Sequence, residues 1–225
     1  LTFAVEVFPE RSYAVAAAVR IAGLLPKSGN VVITGGTTAG AVYRALASMR
    51  LDWSGIDILF SDERCVPPDD DHSNYKMAKE TLLDHIAPRA VHRIRGEDDP
   101  DKAAAAYARE IAPLVERGLD LTILGMGADC HIAALFPGSP ALSETERLAV
   151  AVERPDGMKG ITLTFPALLS SRRIALIVTG ESKANAVQKA LSGHEPKTDR
   201  PVSLLETLDA TFFLDGESGV GYQLA

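Results

Sequence analysis

Asp129 and His131 stand two residues apart in the glycine turn LGMGADCH, directly behind the apolar run LDLTILG. A neutral imidazole can take a proton from water near neutral pH, its unperturbed pKa lying at about 6.5. Asp129 can orient that ring, or it can cap a short helix beginning near His131. Both readings are open from the residues alone. Of the five histidines, His72, His92 and His194 fall in polar stretches and His85 at a helix end, so position singles out His131.

Three further features could bind an anion. Gly35, Gly36, Thr37 and Thr38 join an apolar run to a helical pattern, and such a junction offers unpaired N–H groups and a positive dipole end. GG before a helix is as often a tight turn, and the stretch matches neither the Walker pattern nor the dinucleotide fingerprint. Lys183 falls in a first helical turn, where a cation costs about 0.3 to 1 kcal/mol that an anionic ligand would offset; Glu181 could offset it equally. Arg64 follows Asp62 and Glu63 behind another apolar run, so its guanidinium could recognise phosphate or carboxylate or pair with those acids. Cys65 and Cys130 lack a nucleophile's partners and no Cys/His cluster has zinc spacing, so neither metal nor cofactor is expected.

The elements that must position these groups alternate. TFAVEVF reads as a strand, and the helical pattern PERSYAVAAAVRIAGLL follows it. NVVITGG leads into a helix starting near Thr37 or Thr38, and IDILFS is a strand that ends at Asp62. DERCVPPDDDH reads as a loop, with Ser73 capping the helix SNYKMAKETLLDHI. VHRI is a candidate edge strand. DPDKAAAAYAREIAPLVERG predicts a helix interrupted late by Pro113, delivering the chain into LDLTILG, whose uncharged β-branched run is that of a strand buried on both faces. RLAVAVE and ITLTF predict a hairpin; RRIALIVTG, the helix ESKANAVQKAL, a helical PVSLLETL and the strand TFFLDG complete the chain. The expectation is one doubly wound α/β domain over residues 1–225, its sheet mainly parallel and flanked by helices. Ligands of such sheets bind at the carboxyl ends of the strands, where all the candidates fall.

Composition excludes some partners. A formal net charge of −7 argues against nucleic acid, and no apolar run reaches the roughly 18 to 20 residues of a membrane span. No signal peptide is legible, and two cysteines suit a reducing cytoplasm. The chain begins at Leu1, which leaves room for native residues ahead of it.

Four segments, GGTTAGAVYRAL, SDERCVPPDDDHSNYKMAKETLL, LGMGADCHIAALFPG and ITLTFPALLSSRRIALIVTGESKANAV, together resemble the 6-phosphogluconolactonase pattern, in the same order. The resemblance implies a Rossmann-like, glucosamine-6-phosphate deaminase-like fold. It also implies cofactor-free hydrolysis of 6-phospho-D-glucono-1,5-lactone in the oxidative pentose phosphate pathway, by a cytoplasmic monomer or weak homo-oligomer. By the same resemblance His131 is the general base on water with Asp129 beside it. Asp62, Arg64, Lys183 and the Gly35–Thr38 loop then contact substrate and phosphate.

Two positions depart from that pattern. Cys130 stands where a glycine is usual, which implies a strained or shifted turn, a redox-sensitive thiol, or a small side chain in a relaxed turn. Gly160 stands where an arginine is usual, and Lys159 is the expected substitute. Two rival functions remain, a glucosamine-6-phosphate deaminase and a non-catalytic sugar-phosphate-binding protein. The deaminase has a glutamate where this chain has Phe136; sensor relatives carry a basic helix-turn-helix segment that this chain lacks.

Overall fold

The computed structural model describes residues 3–192 and 197–221, so His194 lies outside the described residues. In chain order the elements are β1 (Ala4–Phe8), α1 (Tyr13–Leu24), β2 (Gly29–Ile33), α2 (Thr37–Ala47), β3 (Ile56–Phe60), β4 (Asp62–Arg64), α3 (Asn74–Thr81) and β5 (Ala90–His92). Then come α4 (Pro100–Glu116), β6 (Leu121–Leu124), β7 (Ala149–Glu153), β8 (Lys159–Leu163), α5 (Phe165–Leu168), β9 (Ile174–Val178), α6 (Ala184–Ser192) and β10 (Ala210–Asp215).

The main sheet has the order β1-β10-β9-β6-β2-β3-β5, and every pairing in it is parallel. From β2 the chain winds outward through β3 to β5; from β6 it winds the other way through β9 to β10. The fold is therefore α/β and doubly wound, with the order reversing between β2 and β6. That seam is short, pairing Val31 with Leu121 and Val32 with Thr122. Below it, Asn30 and Asp120 exchange side-chain and backbone hydrogen bonds at 3.0 Å each way, continuing the seam where the ladder stops. Strands β3, β6 and β9 are buried at every residue, which is why their sequences carry little alternation.

Two tyrosines fix neighbouring strand ends. The Tyr43 hydroxyl accepts from Thr34 N and donates to Thr34 O, and the Tyr107 hydroxyl does the same at Phe60. Buried backbone groups just where β2 and β3 stop are thus satisfied by helices α2 and α4. Burial raises both phenols above their ordinary value.

Four local expectations need correction. Asp62–Arg64 is a short strand, because β8 from the hairpin pairs with it antiparallel; β4-β8-β7 make a second, three-stranded sheet. The Ser73 cap forms, accepting from Lys76 N, but α3 stops at Thr81 and a 3-10 turn covers Leu83–His85. Pro113 does not interrupt α4: it lies on the exposed face, where water can reach the Arg109 carbonyl that loses its N–H partner, and only three helical residues follow it. PVSLLETL holds only a 3-10 turn at Pro201–Leu205.

Candidate active site

A cleft of about 230 Å³ opens at the carboxyl ends of the parallel strands. The loop after β2 forms one wall. Its tight course is imposed at Gly35, where a Cβ would fall 1.8 Å from Asn74 Oδ1, and at Gly36, whose φ is 102°. Helix α2 then starts at Thr37, aiming its first N–H groups at the cleft mouth. Thr38 Oγ1 meets Thr179 Oγ1 at 2.6 Å, tying this loop to the one after β9.

The β3–β4 junction supplies Asp62 and Arg64. Asp62 is buried and accepts from Ser61 Oγ at 2.6 Å and Asn74 Nδ2 at 3.1 Å. Arg64 pairs with neither neighbouring acid; its guanidinium donates to His72 O at 2.7 Å, and its buried Nε has no hydrogen-bond partner among the described residues. The reason lies in Glu63, whose carboxylate is fully used as an acceptor for Arg64 N, Ser73 Oγ, Asn74 N and Tyr75 N. Burial pushes the Glu63 carboxyl above its ordinary value while those bonds pull against it. Glu63 thereby anchors the first turn of α3 to β4, and Arg64 is left to the cleft that it lines.

The loop after β6 carries His131. Gly127 is required there, since a Cβ would lie 2.1 Å from His131 Nδ1 and 2.5 Å from Asp129 Oδ1. Those two atoms are 2.6 Å apart, and Asp129 Oδ1 also accepts from His131 N at 3.2 Å. Burial opposes charge on Asp129, yet hydrogen bonding and attraction from His131 hold its carboxyl below the ordinary value. An ionised carboxylate can only accept, so in the neutral ring the proton belongs on Nδ1 and the lone pair on Nε2. No helix begins at His131; turns and an isolated bridge between Ile132 and Leu135 follow, so the helix-cap alternative for Asp129 does not hold. Asp129 stands behind His131, and His131 lines the cleft.

Cys130 has φ 66° and is 2% exposed, with Sγ donating to Ala186 O at 3.4 Å. The turn keeps the left-handed geometry that suits glycine, so a turn relaxed around the cysteine is excluded. Ala133, on the far side of His131, has φ 50°. Each costs about 1 to 2 kcal/mol, a cost the surrounding packing must meet.

Lys183 ends a 3-10 turn, Glu181–Lys183, ahead of α6, and lines the cleft. Among the described residues it forms no ion pair, with Glu181 or any other acid. Its loop is held by buried Asp215, whose two oxygens accept from Gly180 N at 3.1 and 2.9 Å. The cleft therefore brings together Gly35, Gly36, Thr37, Thr38, Asp62, Arg64, His131 and Lys183.

Sequence reading missed Asn74, Thr179 and Arg154, which also line the cleft. Asn74 hid as an ordinary first residue of a helix. Lys159 is not the substitute cation: it is exposed, reaches Glu153 at 3.7 Å and does not line the cleft. Among the described residues no group of three or more His, Cys, Asp or Glu side chains could hold a metal ion, and no helix is long and apolar enough to cross a membrane.

Known proteins resemble this chain in sequence and in fold. The chain is 37% identical over 220 residues to a 6-phosphogluconolactonase of Mycobacterium tuberculosis, covering 87% of this chain and 89% of that protein. It is 38% identical over 187 residues to a 6-phosphogluconolactonase of Streptomyces coelicolor, covering 74% and 71%. The crystal structure of 6-phosphogluconolactonase from Thermotoga maritima superposes with a TM-score of 0.83 at 27% identity, over 95% of this chain and 99% of that one. With residues 12–213 matching its family model, the chain belongs to the glucosamine-6-phosphate isomerases/6-phosphogluconolactonase family.

Proposed function

We propose that the protein hydrolyses 6-phospho-D-glucono-1,5-lactone to 6-phospho-D-gluconate, the lactone-opening step of the oxidative pentose phosphate pathway, in the cytoplasm. The observation that carries this reading is the His131–Asp129 pair, closed at 2.6 Å on the wall of a cleft that also holds Arg64 and Lys183. The names of the relatives point the same way. The reading takes residues 1–225 as a single domain of this kind.

His131 Nε2 takes a proton from water as the water oxygen adds to the lactone carbonyl. The tetrahedral intermediate then expels the ring oxygen, and the imidazolium returns the proton to it. One base and one water suffice, since the lactone carbonyl is already electrophilic; such help is worth about a hundredfold or more. Arg64, Lys183 and the N–H groups at Gly35–Thr38 hold the phosphate, with Asp62 facing the sugar, so that remote binding energy fixes the ring against His131.

Phe136 weighs against deaminase chemistry: it is 7% exposed and puts an apolar ring, rather than an acid, beside His131. The test is lactone generated by glucose-6-phosphate dehydrogenase, its loss followed with and without the protein. Hydrolysis above the spontaneous rate, unaffected by chelator, is expected. Binding without hydrolysis would make the protein a sugar-phosphate sensor.

A further inference from the structure

Arg154 follows β7 at the start of the hairpin turn, closed by its backbone N–H donating to Met158 O at 2.9 Å. Its side chain is only 10% exposed, yet it lines the same cleft as His131, Arg64 and Lys183. Two features fix its path. A Cβ on Gly160 would lie 3.2 Å from Arg154 Cδ, 3.5 Å from its Cγ and 3.2 Å from Glu63 O, so the arginine stem and the β4 backbone together close in on the space that a side chain at 160 would use, and of the two the flexible stem is the one that can give. Its guanidinium carbon then stands 5.4 Å from the centroid of Phe136, the ring that also meets His131.

The hydrogen bonding is incomplete. Nε and Nη2 both donate to Asp156 Oδ2 at 3.1 Å, and Nη1 has no hydrogen-bond partner among the described residues. Asp156 is half-exposed and belongs to the same turn, so the contact does not tie the arginine to the core. Arg64 sits directly opposite Gly160 in the β4–β8 register. Gly160 is thus flanked by the two strands that lead to these arginines, and the Asp156 carboxylate, against its desolvation, is held low by hydrogen bonds from Arg154 and Met158 N and then by the charge of both arginines. A surface acid already occupies a position that suits an incoming anion.

We propose that Arg154 is a substrate-contacting residue that binds the phosphoryl group together with Arg64, and that Gly160 is the clearance this arginine requires. The proposal rests on the lactonase reading for its substrate, but not for its ligand class. A guanidinium pair suits the several oxygens of a phosphoryl group better than a single carbonyl. It also supplies locally the positive charge that a chain of net charge −7 lacks overall.

The test uses Arg154→Met, which keeps the stem on Phe136 and removes the charge, Gly160→Ala, and the double variant. KM for the lactone should rise about tenfold or more in Arg154→Met, the scale of one lost charge-assisted hydrogen bond, with kcat much less affected. Gly160→Ala should raise KM as well, by displacing the arginine, and should add little in the Arg154→Met background. Affinity for inorganic phosphate, titrated by calorimetry, should fall in parallel. Unchanged KM and phosphate affinity in Arg154→Met, with only a lowered melting temperature, would show a structural stem and overturn the proposal. Full additivity of the two substitutions would overturn the clearance role of Gly160. Wild-type protein inert on the lactone would end the lactonase reading alone, because the phosphate titration still decides Arg154.

Discussion

The imidazole of His131 and the ring of Phe136 stand with centroids 4.5 Å apart, tilted by 47°. Phe136 is therefore a plate that limits the swing of the base, complementing the Asp129 bond on the other edge of the ring. With Phe136→Leu, apolar volume is nearly kept but the flat contact is lost. Turnover should fall about tenfold or more, since small misplacements of a reacting group are costly, while circular dichroism stays native. Wild-type turnover in that variant would show that Asp129 alone fixes His131.

Asp129→Asn tests the proton assignment. The amide cannot hold a proton on Nδ1 as a carboxylate does, so turnover should fall by about a hundredfold or more with KM little changed. The pH dependence has a defined sign. Asp129 titrates below its ordinary value, so its ionised form stabilises the loop above the ordinary Asp range near ~4, and that contribution fades as pH falls through the lower, folded value. Melting curves should show wild type losing more stability than Asp129→Asn between neutral and acid pH; equal losses would refute the pairing.

Cys130→Gly addresses the strained turn. At φ 66° glycine removes a cost of about 1 to 2 kcal/mol, while loss of the buried Sγ and added freedom of the unfolded chain offset it. Near-neutral stability is expected, with turnover at or above wild type. Cys130→Val, β-branched at a left-handed position, should destabilise by more than Cys130→Ala in the same thermal assay. If valine were accepted freely, the loop would not have the geometry described.

Glu63→Gln should destabilise the fold by about 1 to 3 kcal/mol, because one of its two acceptor oxygens becomes an amide facing N–H donors. The loss should be read by urea titration. The same variant should weaken phosphate affinity, because α3 and Arg64 lose a shared anchor; an unchanged affinity would separate the two.

The sequence makes the strand-end candidates legible because each has a short-range signal. Glycines follow an apolar run before Thr37 and again around Asp129 and His131, and Lys183 stands at an odd place in its turn. Arg154 has no such signal. It reaches the cleft only because the β7–β8 hairpin folds back against β4, a pairing set by long-range register. The same pairing turned Asp62–Arg64 from an apparent loop into a strand, against the poor strand propensity of its acids. Pro113 misled for the converse reason, since the breaker rule assumes a helix interior and not an exposed last turn.

The two-residue seam between β2 and β6 also bears on how the protein reaches its folded state. Gly35–Thr38, Asp62 and Arg64 come from the half of the sheet on one side, and His131 and Lys183 from the other. Closing the cleft requires ordering chain segments separated by about a hundred residues, the kind of non-local closure that slows folding. The β6–β2, β4–β8 and β1–β10 pairings each join early chain to late chain, so these closures set the pace. During refolding from urea, far-ultraviolet dichroism should recover ahead of phosphate binding, and that interval measures the time taken to join the halves.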